Sequence, residues 1–191
     1  MSLHLILGCM FSGKTTEIIR IVRRYRALHT YQSNPHGILV INYSQDTRYL
    51  TDTNPENHQM MTHNLEGEPA LPLDNLAGID PERYSQATVI AINEGQFFGR
   101  LVSFCRKALE DDKIIIVGGL DGDYQQQPFG ELLQLIPLAD KISRLHAFCQ
   151  VCGDGTPAFF TRRTVENITC QKLIGGAESY QPVCRKHLLG K

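Results

Sequence analysis

Short apolar runs, each ending at a glycine or polar residue, recur along the first two thirds of the chain. They cover residues 3–7, 38–41, 88–92 and 114–117 and lack the alternation of a half-exposed strand. Continuous runs of this length, rich in β-branched residues, are typical of strands buried on both faces of a parallel sheet. The pattern therefore predicts a mainly parallel sheet that is covered on both sides.

Two stretches between these runs have helical periodicity. Residues 14–30 repeat apolar positions at three- and four-residue spacing with arginines between them, and residues 101–109 form the second stretch. Apolar residues on one side of a helix pack against a sheet, and strands that alternate with helices are typical of α/β proteins. We therefore expect an α/β domain over residues 1–144.

Two other regions lack this regularity. Residues 50–80 contain many Thr, Asp, Asn and Pro residues without periodicity, which predicts a long surface connection. From residue 145 the composition changes, with cysteine pairs, glycines and short stretches typical of strands. Small units of this composition are commonly held together by a metal ion. We expect such a unit at residues 145–191.

Charge and composition narrow the functional class. The chain has 191 residues and a formal net charge of −1, without a long basic block, so general nucleic-acid binding is not indicated. A short arginine cluster fits the solvated face of the first helix, with a polyanion site as the alternative; its members are Arg20, Arg23, Arg24 and Arg26. No run approaches the roughly 20 apolar residues of a membrane span, and the secretory-signal pattern is missing. We expect a soluble, cytoplasmic protein without a membrane partner.

A phosphate-binding motif follows the first apolar run. The string Gly8-Cys9-Met10-Phe11-Ser12-Gly13-Lys14-Thr15 fits the P-loop pattern, with a strand before it and an amphipathic helix after it. Backbone N–H groups of such a loop, together with a helix N-terminus, bind phosphates. Lys14 is expected to reach the β- and γ-phosphates and Thr15 to bind magnesium. A fortuitous glycine-rich turn is the alternative, and the flanking elements favour ATP or GTP binding.

The apolar run at residues 88–92 ends at Asn93 and Glu94. Ligands of parallel sheets collect at the carboxyl ends of strands, where P-loop enzymes commonly hold an acidic residue near magnesium. Glu94 is the leading acid, because its carboxylate is suited to accept a proton from a substrate hydroxyl or to hold a metal-bound water. The alternative is that Glu94 only caps the helix that follows.

Two pairs of metal-ligand residues stand near the end of the chain. Cys149 and Cys152 have two residues between them, and so do Cys184 and His187. Thiolates and imidazole are the ligands that zinc prefers, and four of them close a tetrahedral site. We predict one structural zinc ion; a disulfide or two ordinary turns is the alternative, disfavoured in a reducing compartment. Cys170 is expected to be a small core residue.

Together these motifs resemble the thymidine kinases of the cytosolic and bacterial type, almost from end to end. The likeness is specific because it extends over many short segments. They are Gly8–Thr16, Asp46-Thr47-Arg48, Glu94-Gly95-Gln96-Phe97-Phe98, Leu120-Asp121-Gly122, Pro128-Phe129-Gly130, Pro137-Leu138-Ala139, Ile174–Tyr180 and the two metal-ligand pairs. On this resemblance the phosphate loop extends to Thr16.

The resemblance implies a RecA-like P-loop NTPase domain followed by a zinc-binding lasso domain, commonly assembled as a homotetramer. It implies that the γ-phosphoryl group of ATP is transferred, with Mg²⁺, to the 5′-hydroxyl of thymidine. Deoxyuridine is a second candidate acceptor, and dTTP is the expected feedback inhibitor. Glu94 is then the base for the 5′-hydroxyl. The residues implied to line the nucleoside pocket are Met10, Phe97, Leu120, Tyr124, Phe129, Thr161, Ile174, Gly175, Gly176 and Tyr180.

One departure from the family bears on the metal. Asn93 stands where the family generally has aspartate. Its neutral carbonyl can coordinate Mg²⁺ together with Thr15 but cannot balance the charge, so we expect a raised magnesium requirement. Two other functional classes stay open. A RecA-like nucleic-acid motor is disfavoured by the near-neutral charge, and an inactive nucleotide-binding subunit is supported by Asn93 alone.

Overall fold

The computed structural model describes residues 1–31, 37–46, 58–62, 64–165, 170–171 and 175–190. Its strands are β1 (Ser2–Gly8), β2 (Ile38–Tyr43), β3 (Gln59–Met61), β4 (Gly67–Pro69), β5 (Leu71–Leu73), β6 (Val89–Ile92), β7 (Ile114–Gly119), β8 (Lys141–Leu145), β9 (Ala147–Phe148), β10 (Pro157–Ala158), β11 (Phe160–Arg163) and β12 (Tyr180–Val183). Its α-helices are α1 (Lys14–Tyr31), α2 (Pro81–Gln86), α3 (Leu101–Glu110) and α4 (Arg185–Leu188). None of the helices in these ranges is both long and apolar enough to span a membrane.

Six strands form one sheet in the order β5-β2-β6-β7-β1-β8, and every neighbouring pair in it is parallel. The four apolar runs of the sequence are its four central strands. In register, Leu5 of β1 lies opposite Val117 of β7, and Ile41 of β2 lies opposite Ile92 of β6. The predicted α/β fold with a mainly parallel sheet is confirmed.

Helices cover both faces of this sheet. Leu5 of β1 belongs to one apolar cluster with Leu101 of α3, whereas Ile6 belongs to a second cluster with Ile18 of α1. Because successive side chains of a strand point to opposite faces, α1 and α3 lie on opposite sides of the sheet. Gly118 allows α1 to approach closely, since a Cβ atom there would lie 2.5 Å from Cδ1 of Ile18.

The carboxyl ends of the parallel strands meet at one edge of the sheet. There β1 ends at Gly8 before the phosphate loop, β6 ends at Ile92 before Asn93, and β7 ends at Gly119 before Leu120. Ligands of open parallel sheets bind at this edge, where loops from different strands come together. The topology therefore assembles at one place residues that are far apart in the sequence.

The described part of residues 50–80 forms regular structure, so the expectation of a plain surface connection is wrong there. β3 and β4 pair as an antiparallel hairpin, and β5 joins β2 at the edge of the central sheet. Met60 is fully buried in the cluster on the α1 side, and Glu68 accepts a hydrogen bond from Arg26. Strands of three residues are too short to show periodicity, which is why the sequence pattern does not reveal them.

Small antiparallel pairs follow the sheet, β9 with β10 and β11 with β12. They pack on the phosphate loop through an apolar cluster that includes Cys9 and Ala158, and the Cys9 thiol donates a 3.3 Å hydrogen bond to the Ala158 carbonyl oxygen. Cys170 is exposed, so the prediction that it is a core residue is wrong. In the sequence it lies between β11 and β12 and belongs to neither strand.

Candidate active site

The loop between β1 and α1 is shaped for an anion. Phe11 and Gly13 have left-handed φ angles of 64° and 82°, and α1 begins directly afterwards at Lys14. The Lys14 ammonium group donates a 2.7 Å hydrogen bond to the Cys9 carbonyl oxygen, which holds the side chain over the loop. The N-terminus of α1 adds backbone N–H groups that point toward the loop and a partial positive charge. This environment favours a phosphate group.

Asn93 follows β6 at the same edge of the sheet. It is buried, and its Oδ1 atom accepts a hydrogen bond from the Thr15 hydroxyl at 3.5 Å. Two ligands of one magnesium ion, each about 2.1 Å from it, lie at most about 4.2 Å apart. The two oxygen atoms are hard donors at a compatible separation, so Thr15 and Asn93 fit a shared magnesium ion.

Glu94 has a left-handed backbone, with φ 54° and ψ 42°, which is uncommon for a residue other than glycine. It precedes the 3₁₀ turn Gly95–Phe97, but its side chain makes no capping hydrogen bond to that turn. Instead the carboxylate accepts a 2.6 Å hydrogen bond from Nε2 of Gln96 and lines the cleft. The structure gives no support to a capping role, and local strain of this kind is concentrated at functional sites.

A cleft opens beside the phosphate loop, the end of β6 and the C-terminal strands. Lys14, Thr15 and Glu94 are among its polar residues. Its apolar wall includes Phe97 and Phe129, whose rings meet edge to face with centroids 5.3 Å apart and planes at 87°. A cleft with aromatic faces and a few placed polar groups suits a small molecule that has both a flat ring and a polar end.

The C-terminal strands form one side of this cleft. Thr161 of β11 accepts a 3.0 Å hydrogen bond from the Met10 backbone N–H. The Arg163 guanidinium lies 3.8 Å over the ring of Tyr124 and donates a 3.0 Å hydrogen bond to the Tyr180 hydroxyl. Burial raises the pKa of Tyr180 although Arg163 opposes that shift, so the phenol is neutral at physiological pH. The Thr161 hydrogen bond ties β11 to the phosphate loop, and the Arg163 contacts tie β11 to Tyr124 and Tyr180.

A second candidate site lies in the C-terminal strands. The ligand atoms of Cys149, Cys152, Cys184 and His187 all lie within 4.8 Å of one another. The Sγ atoms of Cys152 and Cys184 are 3.8 Å apart, and each lies 3.4 Å from Nδ1 of His187. Tetrahedral zinc, with bonds of about 2.3 Å to sulfur and about 2.0 Å to nitrogen, requires separations near 3.8 Å and 3.5 Å. The donor set and its spacing therefore fit a zinc ion.

The lowered pKa of one thiol in this cluster also favours a bound cation. Burial raises the pKa of Cys149, but backbone N–H groups of Cys184 and Cys152 and the His187 ring outweigh that effect and lower it to about 6. Burial, with the neighbouring Cys149 thiolate, raises the pKa of Cys152 to about 11. The Cys149 thiolate therefore forms readily, whereas the Cys152 thiol keeps its proton. A bound zinc ion would deprotonate the remaining thiols, because a coordinating thiol loses its proton.

Comparison with known proteins identifies the family. The family profile described as thymidine kinase matches residues 1–188. The chain belongs to the thymidine kinase family. Thymidine kinase a of Arabidopsis thaliana is 42% identical over 195 residues, covering 98% of this chain and 75% of that protein. The thymidine kinase of Yaba monkey tumor virus (strain VR587) is 42% identical over 184 residues, covering 96% and 92%. That of vaccinia virus (strain Western Reserve) is 40% identical over 184 residues, covering 96% and 94%.

The family predicted from the motifs is therefore confirmed. In this thymidine kinase family member, the residues implied for the nucleoside pocket lie mostly in the cleft, which is lined by Met10, Phe97, Leu120, Tyr124, Phe129, Thr161, Gly175 and Tyr180. Gly176 is not among the lining residues, and its N–H donates to the Glu178 carboxylate at 2.5 Å. Ile174 lies outside the described residues, as do Thr47 and Arg48. Asp46, whose role the sequence leaves open, lines the cleft.

The structure adds residues to which the sequence assigned no role. Gln96 is buried and joins two parts of the cleft, because its Oε1 atom accepts from the Leu120 N–H at 3.0 Å while its Nε2 atom donates to Glu94. Asp123 is also buried, and it accepts a 2.7 Å hydrogen bond from Gln171. Gln96 stands inside a segment shared with thymidine kinases, which is a usable signal, whereas nothing near Asp123 in the sequence points to its distant partner.

Proposed function

We propose that the chain transfers the γ-phosphoryl group of ATP to the 5′-hydroxyl of thymidine, giving thymidine monophosphate for nucleotide salvage. The observation that carries this proposal is a single cleft that contains a helix N-terminus with Lys14, the carboxylate of Glu94, and the Phe97–Phe129 ring pair. The helix N-terminus with Lys14 suits a triphosphate, the carboxylate suits a hydroxyl that must lose its proton, and the ring pair suits a pyrimidine. The names of the relatives, which are thymidine kinases, agree with it.

At the phosphate end, the loop binds the triphosphate through its backbone N–H groups. Its residues are Gly8, Cys9, Met10, Phe11, Ser12, Gly13, Lys14, Thr15 and Thr16. Lys14 exchanges its hydrogen bond with the Cys9 carbonyl for the β- and γ-phosphates. Thr15 and Asn93 would hold Mg²⁺, and the ion would supply positive charge next to the phosphates.

Glu94 acts on the acceptor. Its carboxylate accepts a hydrogen bond from Gln96, and we assign to this carboxylate the removal of the proton from the 5′-hydroxyl. Gln96 is itself fixed by the Leu120 N–H, so the base is oriented before substrate arrives. Phosphoryl transfer is catalysed mainly by positioning and charge stabilisation, and a carboxylate that is already oriented contributes to the first of these.

At the nucleoside end, aromatic faces stack on the base and sugar while the C-terminal segment covers them and excludes water. Arg163 supports this cover, because it holds Tyr124 and Tyr180 at once. The residues assigned to nucleoside binding are Met10, Phe97, Leu120, Tyr124, Phe129, Thr161, Ile174, Gly175, Gly176 and Tyr180.

The metal cluster is assigned a structural role. Zinc held by three cysteines and His187 stabilises a lasso domain at residues 145–191, which follows an ATP-binding domain at residues 1–144. Four protein ligands leave no open position for substrate, so the ion does not take part in the reaction. Homotetramer formation, inhibition by dTTP and a cytoplasmic location are further proposals that rest on the resemblance, which implies no nucleic-acid or membrane partner.

The test is transfer of labelled γ-phosphate from ATP to thymidine, deoxyuridine, deoxycytidine and deoxyguanosine, with a control lacking acceptor. We expect transfer to thymidine with a turnover number of roughly 1–100 s⁻¹, as for other kinases, and slow hydrolysis without acceptor. Hydrolysis that is stimulated by DNA instead of a nucleoside would support the motor alternative. Nucleotide binding without transfer to any of the four would support the inactive subunit.

Replacement of Asn93 by aspartate tests the magnesium assignment. We expect Asn93→Asp to lower the Mg²⁺ concentration that gives half the maximal rate by roughly fivefold, since a carboxylate adds about 1 kcal/mol of charge attraction in a partly solvated site. The measurement is initial rate against free Mg²⁺ at saturating ATP and thymidine. Asn75 is an exposed asparagine whose side chain accepts a hydrogen bond from the Ala77 N–H, which aspartate can also accept, so Asn75→Asp serves as the control for added charge alone. An unchanged Mg²⁺ requirement in Asn93→Asp would contradict the assignment.

A further inference from the structure

Three buried polar side chains form a row from the proposed magnesium position into the protein. Asn93, Asn42 and His58 are 3%, 1% and 7% exposed. Asn42 lies on β2 and Asn93 follows the neighbouring strand β6, where its N–H donates to the Ile41 carbonyl oxygen at 2.9 Å. His58 directly precedes β3. Polar groups this deeply buried are costly unless their hydrogen bonds are made, so their partners decide their orientation.

The hydrogen bonds of this row have a direction. Asn93 donates from Nδ2 to Oδ1 of Asn42 at 2.9 Å, and Asn42 donates from Nδ2 to Nε2 of His58 at 3.3 Å. An amide nitrogen cannot accept, so Nε2 of His58 must carry its lone pair and the proton must be on Nδ1. Burial lowers the pKa of His58, with the charge of Asp46 acting in the opposite direction, which favours this neutral form.

The direction matters because an asparagine side chain has two different ends. Only the carbonyl oxygen coordinates Mg²⁺, whereas the NH₂ group would point its protons at the ion. Aspartate has no such problem, since its two oxygens are equivalent. In the present orientation, Oδ1 of Asn93 faces the Thr15 hydroxyl and Nδ2 faces away from it, toward Asn42.

We propose that Asn42 and His58 are positioning residues that hold the Asn93 amide with its oxygen toward the magnesium position. The inference rests on the proposed magnesium site of Thr15 and Asn93. His58 fixes the Asn42 amide, Asn42 in turn fixes the Asn93 amide, and neither of the two touches the metal itself. The row therefore allows Asn93, which is neutral, to coordinate a cation, because it fixes which end of the Asn93 amide faces the ion.

The experiment is a double-mutant comparison between Asn42→Ala and Asn93→Asp. Binding of a fluorescent N-methylanthraniloyl derivative of ATP is measured against free Mg²⁺ and in EDTA, without thymidine, so the readout does not depend on turnover. We expect Asn42→Ala to raise the Mg²⁺ concentration for half-maximal binding roughly threefold to tenfold, the effect of one lost hydrogen bond, and to leave the affinity in EDTA unchanged. In the Asn93→Asp background, Asn42→Ala should shift the Mg²⁺ concentration for half-maximal binding by less than about twofold, because either oxygen of a carboxylate can face the ion.

An equal rise in both backgrounds would overturn the proposal, since Asn42 would then act by supporting the fold and not by orienting an amide. No rise in either background would overturn it as well. Because Asn42→Ala removes a buried partner and risks poor folding, His58→Leu is a second variant that breaks the row one step further from the metal. We expect His58→Leu to raise the Mg²⁺ requirement about twofold or more, again only with Asn93 present.

A separate variant shows whether the magnesium site itself is correct. If Asn93→Ala binds nucleotide with an unchanged Mg²⁺ requirement, then Asn93 is not a ligand and the proposed site fails before Asn42 is considered. If Asn93→Ala raises the requirement and Asn42→Ala does not, the site stands and the positioning role fails. Transfer to thymidine by the unmodified protein is measured in parallel, so loss of the proposed activity is distinguished from both results.

Discussion

Glu94→Gln should lower the turnover number for thymidine phosphorylation by about 10²–10⁴-fold, the usual contribution of a general base. Glutamine has the same shape, and its carbonyl oxygen can still accept the hydrogen bond that Gln96 donates to Glu94, so the side chain should keep its place. What it loses is the ability to take the 5′-hydroxyl proton. The dissociation constant for thymidine should therefore stay within about twofold of that of the unmodified protein.

Two measurements separate catalysis from structure. Turnover is followed by transfer of labelled phosphate, and thymidine affinity is measured calorimetrically with the protein in the absence of ATP. Glu110→Gln is a matched control, because it makes the same change at an exposed residue that ends α3. If Glu94→Gln loses affinity and turnover by similar factors, then the strained backbone at Glu94 has a structural purpose and the base must be sought elsewhere in the cleft.

The sequence predicts the elements whose signals are local. The strand, glycine loop and helix of the phosphate site are consecutive in the chain, so spacing alone indicates both the motif and its context. The central strands are equally readable because burial on both faces makes each one a continuous apolar run, as in β7. Cys149 and Cys152 are recognisable for the same reason: two ligands on one short turn have a fixed spacing.

Contacts between distant residues could not be predicted in this way. The β3–β4 hairpin is held by Met60 in the core and by the pairing of Glu68 with α1, and neither contact has a local pattern. The partners of Asn93 illustrate the same limit. Asn42 becomes its neighbour only because β2 and β6 are adjacent in the sheet, and His58, 16 residues after Asn42 in the sequence, contacts Asn42 in turn. Such neighbours depend on the order of the strands in the sheet, and the spacing of residues in the sequence does not predict that order.

Cys184→Ser should remove the bound zinc and unfold the C-terminal unit. Zinc binding to structural sites contributes on the order of 10 kcal/mol, which is comparable with the whole stability of a small domain at about 5–15 kcal/mol. Among the described residues, the apolar cluster of this unit is small and centres on Ala158 and Val183, so the metal should supply much of its stability. We expect metal content to fall from about one zinc per chain to near zero, with rapid proteolysis after residue 145.

The exposed Cys170 offers a matched control, because Cys170→Ser removes a thiol that lies outside the cluster and should leave zinc content and proteolysis unchanged.

Loss of the zinc site should also weaken substrate binding in the cleft. Thr161 and Tyr180 stand on β11 and β12, so Cys184→Ser should abolish thymidine binding, while the phosphate loop on β1 and α1 should retain ATP. Retained zinc in Cys184→Ser, or equal zinc loss in Cys170→Ser, would contradict the four-ligand assignment. Loss of both substrates together would mean that the central sheet also depends on the metal, through the Thr161 contact with Met10.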